Sequence, residues 1–391
     1  MLEKVIKPMR KVLLFFIILI NISCSNTDKD ISSIIPISNG SLELVQTFGG
    51  SKNDVAKSVI ATSDGGFAVL GYTQSMDGDV TGKNNENYDF WVLKFNSEAQ
   101  LEWNKTYGGS GDDRGRSIIE TSDGGYALIG YSDSSDGDVT INYGNRDFWV
   151  IKINATGAIT WEKSFGYSGV DEGVSILETS DNHFILSGVL DVTASGGDGN
   201  TGRYSPRHAG GDYWSIKINA SGGTVWSRFY GGSFTDAPTG VIENINGDLI
   251  TVGGSDSNDV DISNNKGTYD FWVINLSETG DLIWEKSFGG NQVDEARSIS
   301  QTADGNYLVV GDTRSTNLDV SQSNGAADLW MIKINPEGAL LWEKTFGGSS
   351  FDVGRSVSKT QDDGFLIAGS SRSSDGDLTN NKGQNDALII K

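Results

Sequence analysis

DFWVIKIN, residues 147–154, is apolar on both faces of an extended chain: Trp149, Ile151 and Ile153 point one way, Phe148 and Val150 the other. A sheet wetted on one side would alternate apolar with polar side chains, so this strand is expected to be covered on both faces. The stretch recurs. Its leading aspartate falls at Asp89, Asp147, Asp212, Asp270, Asp328 and Asp386, at spacings of 58, 65, 58, 58 and 58 residues. A period of this length marks a repeat architecture in which no unit can bury its own faces alone.

Each unit carries four strand-like runs. In the fifth they are 297–302, 306–312, 328–335 and 339–345. Asp64-Gly65, Asp123-Gly124 and Asp304-Gly305 join the first run to the second with a strong hairpin signal, and Gly157, Gly222, Gly280 and Gly338 sit in the turn between the third and fourth. Four antiparallel strands per unit, sandwiched between neighbours, give an all-β chain arranged as a six-bladed β-propeller. The phase of the repeat adds a closure. LELVQTFGG at 42–50 aligns with the fourth run LWEKTFGG at 341–348, while the chain stops at Lys391 after a third run. Pairing 42–47 with 387–391 would complete the last blade and remove two open sheet edges.

All ten tryptophans follow the period: Trp91, Trp149, Trp214, Trp272 and Trp330 in third runs, Trp103, Trp161, Trp226, Trp284 and Trp342 twelve residues later. Such placement reads as blade packing rather than as a sugar platform.

The N-terminus has a separate logic. Lys4, Lys7, Arg10 and Lys11 precede an apolar run at 12–20, then Ser23 and the sole cysteine, Cys24. That order is an export leader over 1–23, too short to span a bilayer comfortably. With no second cysteine a disulfide is impossible, and the fold rests on packing. The net charge of -22 disfavours nucleic acid and anionic lipid surfaces as partners, and loss of the leader makes the balance more acidic still. Polar residues 24–40 read as a tether, and 41–391 as the folded domain.

Cys24 and the residues before it resemble the lipobox of bacterial lipoproteins, with Asn21 where that family usually has leucine. The resemblance implies lipidation of Cys24 and an exported, lipid-anchored protein of the cell envelope, at the outer membrane. IKINATGAITWEK from Ile151 is similar to the tryptophan-docking repeat of quinoprotein-type propellers. The fuller unit, WEKSFGG followed by an aspartate, a DGG-type hairpin, a serine-rich loop and DFWVIKIN, resembles the β-propeller repeat of secreted and lipid-anchored bacterial proteins. It covers 41–391 and speaks for fold more than for function. Quinoprotein dehydrogenases generally have eight blades and often an adjacent cysteine pair; six units and no cysteine in 41–391 disfavour that cofactor chemistry. A lipoprotein propeller of outer-membrane protein assembly, also eight-bladed, is a relative in outline that works without chemistry.

Propeller geometry implies that the loops from fourth to first strands and from second to third share one face. The first set holds Asp54, Asp113, Asp171, Asp236, Asp294 and Asp352, with Lys57, Arg116, Arg297 and Arg355 three residues later. Loop capping, with some pairing to the neighbouring base, is the plain reading. The second set repeats oxygen side chains at first, third, fifth and twelfth positions: Asp136, Asp138 and Asp147; Asp259, Asp261 and Asp270; Asp375, Asp377 and Asp386. Hard oxygens at alternating positions suit calcium, although the glycine and glutamate of an EF-hand loop are missing. His183 occupies a hairpin position. His208 lies in the seven-residue excess of the third unit beside Arg203, Tyr204 and Arg207, a basic and aromatic loop expected to overhang the acidic face as a candidate binding loop.

These features favour a monomeric, non-catalytic scaffold that binds protein or glycan, needs no cofactor unless calcium, and meets the membrane only through its lipid. The competing reading is a carbohydrate-active hydrolase or lyase using acidic loops, which would need two carboxylates of distinct environment at one cleft. The expected closure has a direct test. Deleting 41–48 should abolish cooperative thermal unfolding of the domain; a truncated protein that melts like the intact one would rule it out.

Overall fold

The structure, a computed structural model, describes residues 46–192, 208–378 and 381–391. Within them lie six antiparallel sheets, each a meander whose strands pair in chain order, occupying 54–107, 113–165, 172–230, 236–288, 294–346 and 352–390. Blade 2 shows why the local sequence folds this way. Its strands are Asp113–Glu120, Tyr126–Ser132, Asp147–Ile153 and Ile159–Phe165. At the first hairpin, Gly124 adopts φ +80° and donates to the Thr121 carbonyl, while Asp123 Oδ1 accepts from Gly125 N and the Thr121 hydroxyl. Gly157, at φ +76°, closes the turn between third and fourth strands, and Asn154 Oδ1 accepts from Thr156 N and Ala158 N. The glycines serve where left-handed backbone is required.

Sheets stack in sequence, each first strand packing on the first strand of the next blade. The sheets therefore fan outward from their first strands as the blades of a β-propeller. Third strands are buried along their whole length in blades 1, 2 and 4, as the two-sided apolar pattern requires. Their tryptophans bridge blades: Trp149 packs on Phe90, Trp214 on Phe148, Trp272 on Tyr213 and Trp330 on Phe271, with ring centroids 4.5–4.8 Å apart. The indoles stay satisfied by fourth-strand partners, as in Trp149 Nε1 to Glu162 at 2.9 Å and Trp330 Nε1 to Glu343 at 2.8 Å. Fourth-strand tryptophans reach across instead, Trp161, Trp226 and Trp284 donating to the carbonyls of Ala220, Glu278 and Pro336 in the next blade.

Blade 6 has three strands among the described residues, Asp352–Lys359, Phe365–Ser371 and Asp386–Ile390. The expected fourth strand at 42–47 falls largely on residues 42–45, which lie outside the described ones. Phe48, just beyond, packs edge-on against Phe95 of blade 1 at 5.2 Å. Among the described residues nothing covers the outer faces of the first and last blades. Val59 is 67% exposed where its counterpart Ile118 is 1%, and Ile389 is 68% exposed where Val150 is fully buried.

Packing of the two tryptophan classes predicts unequal losses. Trp330→Ala should destabilise by about 3–5 kcal/mol, since it empties a fully buried site between blades. Trp342→Ala, at a position 39% exposed, should cost about 1 kcal/mol or less. Urea unfolding followed by far-ultraviolet dichroism would show the difference, and equal costs would contradict this packing.

Candidate functional site

The loops from fourth to first strands and those from second to third interlock on one face, as expected. In blade 2, Asp113 Oδ2 accepts from Gly109 N at 2.7 Å and the Ser134 hydroxyl at 2.8 Å, while Oδ1 accepts from the Ser132 hydroxyl. Asp136 accepts from Ser110 N at 2.7 Å, Asp138 from Gly108 N at 3.1 Å, and Asp147 from Tyr143 N. Later blades repeat the set: Asp259 takes Ser233 N, Asp261 Gly231 N and Asp270 Lys266 N, then Asp375 takes Ser349 N, Asp377 Gly347 N and Asp386 Lys382 N. Every carboxylate weighed as a calcium ligand thus has a backbone N–H to hold. Among the described residues no three carboxylate, histidine or cysteine side chains are grouped to grip one metal ion.

The bases near the first-strand aspartates pair elsewhere than with them. Arg116 reaches Glu172 of the next blade at 3.5 Å, and Arg297 meets Glu295 and, at 3.2 Å, Asp312. A one-residue bulge explains this, because the strand register slips between Gly115 and Ser117 and again between Ala296 and Ser298, turning the intervening arginine away from the loop.

Between blades two carboxylates face each other across the first glycine of the GG pair. A Cβ on Gly289 would lie closer than 3.0 Å to both Asp270 Oδ1 and Asp294 Oδ2, and Gly231 and Gly347 stand in the same relation to Asp212 and Asp236, and to Asp328 and Asp352. Among the described residues, the Oδ1 atoms of Asp147, Asp212 and Asp270 have no hydrogen-bond partner. Burial pushes Asp270 up to about 7, with Asp294 adding to the rise; Asp147 goes to about 6 by burial and by Asp171, and Asp113 to about 7 by burial and by Asp89. Some junctions carry a built-in cation: Lys83 Nζ lies 3.3 Å from Asp89, and Lys266 Nζ 2.6 Å from Asp319.

His208 belongs to this layer rather than to an overhanging loop. It is 7% exposed, its Nδ1 lies 2.5 Å from Asp212 Oδ2, and its ring meets Phe229 edge-on at 4.9 Å. Arg203, Tyr204 and Arg207 lie outside the described residues. His183 sits in its hairpin, Nδ1 against the Asp181 carbonyl at 3.1 Å.

Above the aspartate layer, at the axial mouth, the side chains change from blade to blade on an unchanging backbone. The position twenty residues after the first-strand aspartate is Gln74, Asp133, Asp191, Asp256, Arg314 and Arg372 in turn. In five of these blades its N–H donates to the same carbonyl of the preceding loop, that of Asn53, Asp112, Thr235, Val293 and Phe351. Aromatic rings accompany the bases: Arg114 lies over Tyr88 at 4.2 Å and Tyr72 at 5.3 Å, Arg146 over Tyr131 at 4.6 Å, and Arg314 and Arg372 lie 5.9 and 5.7 Å from Phe351. Sequence reasoning passed over this set. Its signal was variation at a fixed offset within a constant frame.

Two measurements probe the layer beneath. Gly289→Ala should cost about 1–3 kcal/mol by overpacking two carboxylates, whereas Gly305→Asn, at φ +80° with open space around it, should cost under about 1 kcal/mol. The raised aspartates bind more protons folded than unfolded, so their contribution is complete below about pH 4 and is lost as pH rises through 6 to 7. Asp123 works oppositely: against burial, the Thr121 hydroxyl and Lys152 ammonium hold it at about 2, so its contribution fades only in acid. The melting temperature should therefore peak near pH 4–5 and fall by roughly 5 °C or more by pH 8. A flat profile over that range would contradict the paired-carboxylate layer.

No known protein family matches the chain, and no curated protein matches it. Solved structures do: a protein of unknown function from Bacteroides caccae, at 11% identity and TM-score 0.41, over 76% of this chain and 86% of that one. The WD40 domain of Neurospora crassa Pan2 matches at 10% identity and TM-score 0.41, over 80% and 85%, and a glucose dehydrogenase at 11% and 0.40, over 86% and 96%. At such identities the likeness concerns fold, and none of them brings an activity to this chain.

Proposed function

We propose that this chain is a non-catalytic binding scaffold of the cell envelope, held by lipid on Cys24, that takes a glycan or protein ligand at its loop face. One observation carries the reading. Side chains repeated from blade to blade are spent on the frame, as tryptophans between sheets and aspartates on backbone N–H groups, whereas the mouth varies over that frame. Variation on a rigid support is where specificity resides in loop-bearing scaffolds. An acid–base pair is harder to find. Three of the aspartates with raised pKa, Asp113, Asp236 and Asp270, are fully buried beneath the loops, Asp113 and Asp236 holding hydroxyls and glycine N–H groups and Asp270 the N–H of Lys266, out of reach of a sugar ring.

Affinity electrophoresis of the purified protein in gels containing neutral and acidic polysaccharides, with reducing-end analysis of the same mixtures, tests this. Saturable retardation without new reducing ends is expected. Turnover that a single loop aspartate substitution abolishes would establish the hydrolase or lyase reading in its place.

A further inference from the structure

The chain is strongly acidic, at net -22, yet its arginines are not scattered. Every arginine among the described residues except Arg228 lies on a first strand or at the mouth: Arg114, Arg116, Arg146, Arg297, Arg314, Arg355 and Arg372. Four of them sit against carboxylates. Arg114 holds Asp112 at 2.8 Å, Arg146 and Arg116 share Glu172, and Arg297 is clasped by Glu295 and Asp312. These charges are spoken for.

The bases at the mouth position of blades 5 and 6 differ. Arg314 and Arg372 are exposed, form no ion pair with any described residue, and flank the 40% exposed ring of Phe351 with guanidinium carbons 5.9 and 5.7 Å from its centroid. Each is fixed at its base by the same bond, N–H to the carbonyls of Val293 and Phe351 at 2.9 Å, and Arg372 Nε is steadied by Asn385 Oδ1 at 2.7 Å. Two guanidiniums within 6 Å of one exposed ring, with only the buried Asp312, already held by Arg297, acting on Arg314, make a preformed seat for an anion. The other blades put Asp133, Asp191 and Asp256 at the equivalent positions. A phosphate dianion or a polyanion would meet those carboxylates. A ligand carrying a single negative charge and many hydroxyls would not, because its hydroxyls can donate to them while its carboxylate meets the arginines.

We infer that the Arg314–Phe351–Arg372 cluster binds the carboxylate of an acidic sugar residue, a uronate, presented by a glycan on the loop face. This inference rests on the binding reading above and assigns its ligand class and its place. Isothermal titration with an aldotriouronate that carries one carboxylate, its methyl ester and a neutral trisaccharide, using the full chain, separates the two. The aldotriouronate should bind, and the ester at least tenfold more weakly. Arg314→Gln/Arg372→Gln should lose the same factor for the acid with its melting temperature unchanged, while Lys359→Gln, on the opposite face, should match wild type. Equal binding of acid and ester, or of wild type and the double variant, would overturn the uronate site while leaving a glycan-binding face. Failure of all three sugars to bind would overturn the uronate site and leave the binding reading to a protein ligand.

Discussion

Everything in this molecule depends on each sheet being covered on both faces. A strand such as Asp147–Ile153, fully buried along its length, cannot exist at the surface of a solitary sheet, so one blade is no fold and the neighbour is part of each unit's interior. The contacts that satisfy this run from each blade to the next: Phe90 to Trp149, Phe148 to Trp214, Tyr213 to Trp272, Phe271 to Trp330. Each aromatic pair removes on the order of 150–250 Å² per ring from water, and the repetition makes cohesion the sum of nearly equal junctions. Where no described neighbour covers a sheet its apolar side chains are exposed, as at Val59 and Ile389.

Burying sheets on both faces draws their connecting loops inward, and the loops bring backbone N–H groups that must find acceptors. The aspartates of the FGG and serine-rich loops supply them. Asp54, Asp113, Asp236, Asp294 and Asp352 each accept from a glycine N–H four residues earlier at 2.7–2.8 Å. Accepting that role places two carboxylates from adjacent blades against one glycine, and in this dry layer burial first, then the neighbouring charge, raises the pKa of Asp113, Asp236 and Asp270. Acidity here is thus a consequence of loop geometry. It resembles the signature of a catalytic acid, and only the sixfold recurrence distinguishes the two.

Strand positions were legible in the sequence because periodicity reports local backbone. The runs expected at 328–335 and 339–345 are the strands Asp328–Ile334 and Leu340–Phe346, and the hairpin and turn glycines sit where their offsets implied. Contacts between blades were not legible. Arg116 meets Glu172, 56 residues on, rather than the aspartate three places before it, and His208 turns inward to Asp212 and Phe229. Such choices depend on a bulge and on the packing of the next sheet, which no single unit records. The mouth was missed for the opposite reason: a search for what repeats passes over the offset at which Asp133 and Asp256 give way to Arg314 and Arg372.

That offset also shows how a repeat can host recognition without losing its fold. Substitution at a core position such as Trp272 would disturb two blades, whereas the frame holds positions 314 and 372 through their backbone N–H, so the side chain there can change at little cost to the fold. The acidic body does not cancel the result. Charges beyond about 8 Å are largely screened at physiological salt, so an arriving carboxylate is governed by the two guanidiniums beside Phe351 more than by the distant net charge. The remaining mouth acids then act as a filter, repelling ligands with charge to spare. Selectivity in such a site comes from the contrast between neighbouring blades, which a perfectly symmetric ring could not provide.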